Sequence, residues 1–268
     1  MSKRAVIEVF TCAGDRANEY MPVLQNSMQK FASGKYEIKY KCIINTKQFR
    51  EVPGWEVVEI DEDNSSSPHP KAAGSYNHGR QLNKIHKYVT GELLVIADAD
   101  TCVMQKDWDS IMAKHIVDKT VAYGVNSSKN NKRFLGSPCI IFCMFNSKIF
   151  CNMKTNFLPM FKEKANKNFK LCQKSYYLDP QLANLYRIGR LQKIFCDTGW
   201  ALATDLQQIG YNGGIIEHED NLRLDPLHAE FETWYYEKAP FIAHAGGSRS
   251  HQKDVEQWKS FARSRGLI

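Results

Sequence analysis

Asp98 and Asp100 stand two residues apart, directly after the apolar run Leu93-Leu-Val-Ile-Ala97. A short continuous apolar run reads as a strand buried on both faces. Both carboxylates are therefore expected at the carboxyl end of a buried strand, where open α/β sheets bind ligands. Two anions this close repel each other, and a divalent cation bridging them to a diphosphate relieves the repulsion. Hard oxygen ligands suit Mg2+ or Mn2+. An Asp-rich turn capping the next segment is the plainer alternative. A second constellation comes late, in Phe241-Ile-Ala-His244-Ala-Gly246-Gly247-Ser248-Arg249. It reads as a lone imidazole at the end of an apolar stretch, followed by a loop able to close over an anion with Arg249 as a cationic clamp. A buried structural histidine is the competing reading of His244. The third is Phe195-Cys196-Asp197-Thr198-Gly199-Trp200, where Asp197 is placed to cap a helix that begins at Thr198.

The elements that must position these groups alternate over the first 125 residues, the pattern of an open α/β sheet with crossover helices. Strands are expected at Ala5 to Thr11, Ile38 to Asn45, Glu56 to Ile60, Leu93 to Ala97 and Thr120 to Val125. Helices are expected at Asn18 to Phe31, His78 to Val89 and Trp108 to Val117; Tyr20, Met21, Leu24, Met28 and Phe31 give the first its apolar stripe. Asp61 to Gly74 reads as a loop. In the second half the pattern gives strands at Cys139 to Phe145, near Gly214 to Glu217 and at Phe241 to Ala243. It also gives helices near Pro180 to Tyr186, at Thr198 to Ile209 and at His251 to Ser264. One α/β domain over residues 1–268 is expected, Rossmann-like, with a mostly parallel central sheet flanked by helices.

The chain has 268 residues, of which 43% are apolar, and a net charge of +7. Its basic groups concentrate at Asn126 to Arg133 and Lys162 to Lys174, which read as loops able to steer an anionic donor or acceptor. The stretch after Met1 lacks a signal peptide's apolar segment, and no apolar run is long enough to span a membrane. A soluble, cytoplasmic protein is expected. The 8 cysteines are scattered and lack the paired spacing of a zinc ribbon or redox motif, which predicts reduced, mostly packed thiols.

Ser75-Tyr76-Asn77-His78-Gly79-Arg80-Gln81-Leu82-Asn83, then Gly91-Glu92 and Asp98-Ala99-Asp100, match a family in order and spacing. The chain resembles a family 2-type glycosyltransferase of the A-type fold, whose DxD motif follows an apolar strand. The resemblance implies a nucleotide-diphosphate sugar donor, UDP-linked in preference, held at Asp98-Ala99-Asp100. It implies a base bordered by Thr11, Cys12 and Arg16 at the first strand-to-helix loop, and a metal site of Asp98, Asp100 and His244. The imidazole ligand favours Mn2+ over Mg2+. His78 or Arg80 would donate hydrogen bonds to the diphosphate, and Gly79 would let backbone come close to it. Asp197 would be the base that takes the acceptor hydroxyl's proton, with inversion, and Trp200 would line the sugar site. Asp179 competes for that role, and no Glu precedes Asp197 to form the family's usual acidic pair. Residues 1–125 would bind the donor; residues 126–268 would bind the acceptor, an anionic glycan or modified nucleic acid being one class.

Two other functions are open to the same composition. A nucleotidyltransferase would share the nucleotide site, but Thr11-Cys12-Ala13-Gly14-Asp15-Arg16 is sparse for a phosphate loop. A non-catalytic nucleic-acid-binding module would use the basic stretches and aromatics, and would bind with steep salt dependence and no need of metal.

Overall fold

The computed structural model describes residues 4–61, 73–126, 137–163, 193–196, 198–216, 231–245 and 252–268. The chain runs β1 (Val6–Ala13), α1 (Ala17–Lys30), β2 (Glu37–Ile44), β3 (Glu56–Ile60), α2 (Ala73–Ile85), β4 (Leu93–Ala97), β5 (Thr101–Val103), α3 (Trp108–Ala113) and β6 (Thr120–Val125). It continues with β7 (Phe142–Asn146), α4 (Ser147–Met153), β8 (Met160–Glu163), β9 (Lys193–Cys196), α5 (Leu202–Gln208), β10 (Asn212–Ile216), β11 (Glu232–Tyr236), β12 (Ala239–His244) and α6 (Gln252–Ser264).

Seven strands form the central sheet in the order β10-β6-β7-β4-β1-β2-β3. Only β7 runs antiparallel to its neighbours, so the sheet is mostly parallel as expected. Parallel strands are buried on both faces, and β1 shows this residue by residue. Ile7, Val9 and Ala13 pack with Met21 and Leu24 of α1 and with Trp108 of α3. Phe10 packs on the other face with Leu82 and Ile85 of α2, Phe150 of α4 and Leu202 of α5. A smaller antiparallel sheet, β11-β12-β5, adjoins this body, and Trp258 of α6 packs on Tyr20, Phe231 and Phe261.

Sheet order decides where ligands can enter. From β1 the chain winds outward through β2 to β3, then returns to place β4 on the opposite side of β1. The crossovers therefore diverge between β1 and β4, and it is beyond the carboxyl ends of two strands so arranged that open α/β sheets present a crevice to ligands. Asp98 is the first residue after β4.

Most of the expected elements form, with shifted limits. The helix expected from His78 starts at Ala73, and the one expected to reach Val117 ends at Ala113. The strand expected from Cys139 starts at Phe142, with one more bond in the same register, Asp98 N–H to the Ile141 carbonyl at 2.8 Å, beyond its end. β5, α4, β8, β9 and β11 come in addition to the expected elements. The helix expected near Pro180 to Tyr186 and nearly all of both basic stretches lie outside the described residues. Six described cysteines, Cys12, Cys42, Cys102, Cys139, Cys143 and Cys151, are free thiols.

Glu8 is wholly buried in β1, where it accepts from Lys41 Nζ of β2 and from the Thr90 N–H and hydroxyl, each at 2.7 Å. Lys41 also donates to the Tyr88 carbonyl at 2.8 Å. These bonds clip the connection before β4 onto β1 and β2. Burial by itself would raise the Glu8 pKa, but Lys41, Gly91 and Thr90 bond the charged form and hold it below the ordinary 4.5. A carboxylate depressed in the folded state stabilises the fold fully above its unfolded value, and that stability is lost as pH falls through the folded value. Lys41→Met is expected to destabilise by about 3–5 kcal/mol, the cost of stranding a buried charge. In urea unfolding series from pH 7 to pH 3, this variant should show a weaker acid dependence than wild type.

Candidate metal and donor site

Three ligand-type side chains converge at the mouth of the crevice. Asp98 and Asp100 occupy the turn between β4 and β5, and His244 ends β12. One ligand atom from each lies within 4.8 Å of the other two. His244 Nε2 stands 3.2 Å from Asp100 Oδ1 and 3.7 Å from Asp98 Oδ2. The small sheet makes this meeting: His244 of β12 pairs with Thr101 of β5, directly after the acidic turn. Backbone bonds lock the turn, since the Thr101 N–H and hydroxyl both reach the Asp98 carbonyl, at 3.2 and 2.7 Å, and Ala245 N–H reaches the Asp100 carbonyl at 3.0 Å. Ala99, between the carboxylates, is partly buried against the core.

From the other side, His78 of α2 brings Nε2 to 3.5 Å from Asp98 Oδ1, so Asp98 lies between two imidazoles. Cys12, at the end of β1, shares this neighbourhood: burial, then the charge of Asp98, pushes its thiol well above the ordinary 9.0.

The electrostatics are those of an anionic cluster. Burial alone would lower the His244 pKa, but Asp100 by charge and hydrogen bond, Glu232 by hydrogen bond and Asp98 by charge hold it well above 6.5. Asp100 moves the opposite way; burial would raise it, and His244 and His78 bring it below 3.8. A proton on His244 thus relieves repulsion that a bound cation would relieve instead. The donor set fits such an ion: two carboxylates and one imidazole suit Mn2+ or Mg2+. Neighbouring ligands of an octahedral ion at about 2.1 Å stand about 3 Å apart, close to the His244 to Asp100 separation of 3.2 Å.

Thr11 is buried in β1 with no hydrogen-bond partner for its hydroxyl, and Arg16 precedes α1 and pairs with Glu19 at 3.6 Å. Arg80 donates to Asp61 Oδ2 at 3.0 Å, which ties it to the end of β3. Gly79 lies inside α2 rather than at its start, and the close approach it permits is to the Phe157–Leu158 backbone. Trp200 donates its indole N–H to the Leu158 carbonyl at 3.0 Å, and the Thr198 hydroxyl donates to the Ser75 carbonyl at 2.8 Å. The Thr198 bond docks on α2, and the Trp200 bond docks on the segment that follows α4. Asp197 and Arg249 lie outside the described residues, as does Asp179.

Two further groups reach the cluster. Glu232 Oε2 lies 3.1 Å from His244 Nδ1. Tyr20 of α1 is buried close enough to Asp100 that burial, then the charge of Asp100, raises its hydroxyl pKa above 10.0. Tyr20 reads from sequence as one more apolar position on α1, and only the register of β11 points to Glu232.

No protein-family model matches the chain, and no curated protein matches it. Among solved structures it is similar to an active-site mutant of LgtC, with a TM-score of 0.47, 11% identity, and coverage of 97% of this chain and 100% of that one. It is also similar to galactosyltransferase LgtC in complex with donor and acceptor sugar analogues, with a TM-score of 0.45, 11% identity and the same coverage, 97% and 100%. A third is the mannosyltransferase PcManGT from Pyrobaculum calidifontis in complex with GDP-Man and Mn2+, with a TM-score of 0.46, 14% identity and 80% of this chain covered. The match spans 55% of PcManGT. Likenesses this distant carry no chemistry across, and the site stands on its own residues. Among the described residues, no helix is long and apolar enough to cross a membrane.

The packing of Gly79 is open to measurement. A Cβ there would stand 2.5 Å from the Phe157 carbonyl oxygen, a backbone atom that cannot swing away. Gly79→Ala is expected to destabilise by about 1–3 kcal/mol through overpacking, read as a lower melting temperature in ligand-free protein. Unchanged stability would remove the packing role and return Gly79 to ligand contact alone.

Proposed function

We propose that the chain is a metal-dependent glycosyltransferase that moves a sugar from a nucleotide-diphosphate sugar, UDP-linked in preference, to an acceptor hydroxyl. The observation that carries this reading is the Asp98, Asp100 and His244 donor set at the crevice between β1 and β4. A carboxylate pair with an adjacent imidazole suits a first-row divalent ion, and the crevice is where an open α/β sheet presents room for a nucleotide. The family resemblance in the sequence points to the same chemistry.

In this reading Asp98, Asp100 and His244 hold Mn2+ or Mg2+, which when bound stabilises the departing diphosphate by several kcal/mol. The chain's own groups do the rest. His78, beside Asp98, donates a ring N–H to the diphosphate. Thr11 and Cys12 form the floor at the end of β1, and Arg16 flanks the nucleotide from the loop before α1. Arg249 clamps the phosphates from the glycine-rich stretch after His244. Asp197 accepts the acceptor hydroxyl's proton, so the anomeric centre is displaced with inversion. Trp200, fixed by its bond to Leu158, lines the sugar. The basic stretches around Lys129 and Lys167 favour an anionic acceptor, a glycan or modified nucleic acid.

Thermal unfolding with UDP-, GDP-, CMP- and TDP-linked sugars, each with and without Mn2+, tests the proposal. A ligand at one hundred times its dissociation constant adds about 2.7 kcal/mol to the stability of the state it binds. One nucleotide is expected to raise the melting temperature only when Mn2+ is present, and Asp100→Ala should abolish the rise. No shift with any donor would overturn the reading, and steeply salt-dependent, metal-indifferent binding of nucleic acid would replace it.

A further inference from the structure

The hydrogen bond between Glu232 and His244 is set by a specific piece of strand geometry. β11 and β12 form a hairpin whose turn residues, Glu237 and Lys238, have φ of 50° and 67°. Next to the turn the register pairs Tyr236 with Ala239 and Tyr235 with Pro240. It then slips by one residue at Phe241, so that Trp234 faces Ile242, Thr233 faces Ala243 and Glu232 faces His244. Without that bulge, continuing the first register would put Glu232 opposite Ala243. Directly paired residues of an antiparallel ladder carry their side chains on one face at contact distance. The slip therefore brings the Glu232 carboxylate to the outer nitrogen of His244, while Nε2 faces Asp98 and Asp100.

An ionised carboxylate has no proton to give, so in this bond Nδ1 must be the donor. Neutral imidazole with its proton on Nδ1 keeps a lone pair on Nε2 alone. Of the two ring nitrogens, Nε2 is the one that meets both aspartates. The same bond restrains ring rotation, together with the buried setting of His244 beside Trp234, whose indole N–H is anchored to the Asn126 carbonyl at 2.7 Å.

We infer that Glu232 is a positioning residue: by accepting the Nδ1–H of His244 it fixes which imidazole nitrogen, and which ring orientation, is offered to a metal ion at Asp98 and Asp100. This rests on the metal-site reading above. Glu232 is not itself a ligand of that ion, since its carboxylate lies on the far side of the ring.

The experiment is calorimetric titration of Mn2+, without donor or acceptor, into wild type, Glu232→Gln and Glu232→Ala at one pH, with melting temperatures of the metal-free proteins taken alongside. Glutamine keeps a side-chain oxygen able to accept from Nδ1 and removes the charge, whereas alanine removes both. Glu232→Ala is expected to weaken Mn2+ binding about 10- to 100-fold, and Glu232→Gln to stay within about threefold of wild type. Both variants should stay folded at the titration temperature, because the Glu232 side chain is 42% exposed and carries no core, with Glu232→Ala melting below wild type through loss of its bond to His244. Equal losses in both variants would make Glu232 a source of charge alone and overturn the positioning role. Wild-type affinity in both variants would overturn it as well, leaving the metal site standing. A wild-type protein that takes up no Mn2+ would overturn the metal site and this inference together.

Discussion

Like charge held together at the mouth of a buried sheet is the condition that the rest of this molecule answers. Asp98 and Asp100 offer oxygens within 4.8 Å of one another, a separation at which two unit charges repel by about 3–4 kcal/mol at an effective dielectric constant of 20. A turn assembled around such a pair springs open unless backbone bonds close it and positive charge faces it. Both are present. The Asp98 carbonyl accepts from both donors of Thr101, Ala245 N–H takes the Asp100 carbonyl, and His244, its pKa held well above 6.5, faces both aspartates. Closing a turn around charges that repel one another makes sense where a cation is to be received, because the proton on His244 that offsets the repulsion can give way to the ion.

The central sheet and its helices were largely legible because their signals are local. The uninterrupted run Leu93 to Ala97 is too short for a helix and reads as a strand buried on two faces, and Tyr20, Met21, Leu24 and Met28 mark a helix by spacing alone. His244 could be paired with the acidic motif by analogy, and the strands do place it there. The small sheet was less legible. β5 is three residues long and lies inside what reads as the acidic motif's own turn. The β11–β12 hairpin turns on Glu237 and Lys238, residues without the Asn or Gly that normally announces a left-handed turn. With the turn unannounced, the cross-strand pairing of Glu232 with His244 could not be read, although the β-prone run Thr233-Trp-Tyr-Tyr236 was in view.

Gly79 and Arg80 show how a helix start bears on such assignments. A glycine and an arginine before a DxD strand invite assignment to a phosphate, yet α2 begins five residues earlier than its apolar stripe suggests, at Ala73. Within that helix Gly79 lies against the Phe157–Leu158 backbone, Arg80 bonds Asp61 and His78 meets Asp98. Where a helix begins changes which neighbouring side chain reaches a site, and helix starts are the part of the pattern that periodicity locates least well.

The one-residue slip at Phe241 gives the exposed tip of the hairpin an unusual standing. Surface turns are ordinarily where a lineage gains and loses residues freely, since nothing is packed against them. Here an added or deleted residue between Tyr236 and Ala239 that shifted the pairing would move Glu232 out of line with His244, four residues from Tyr236 along one strand and five from Ala239 along the other, unless a second change restored the count. The turn's length is thereby bound to the chemistry at the other end of the ladder, and selection on the buried imidazole would be felt as conserved spacing at a solvent-facing loop.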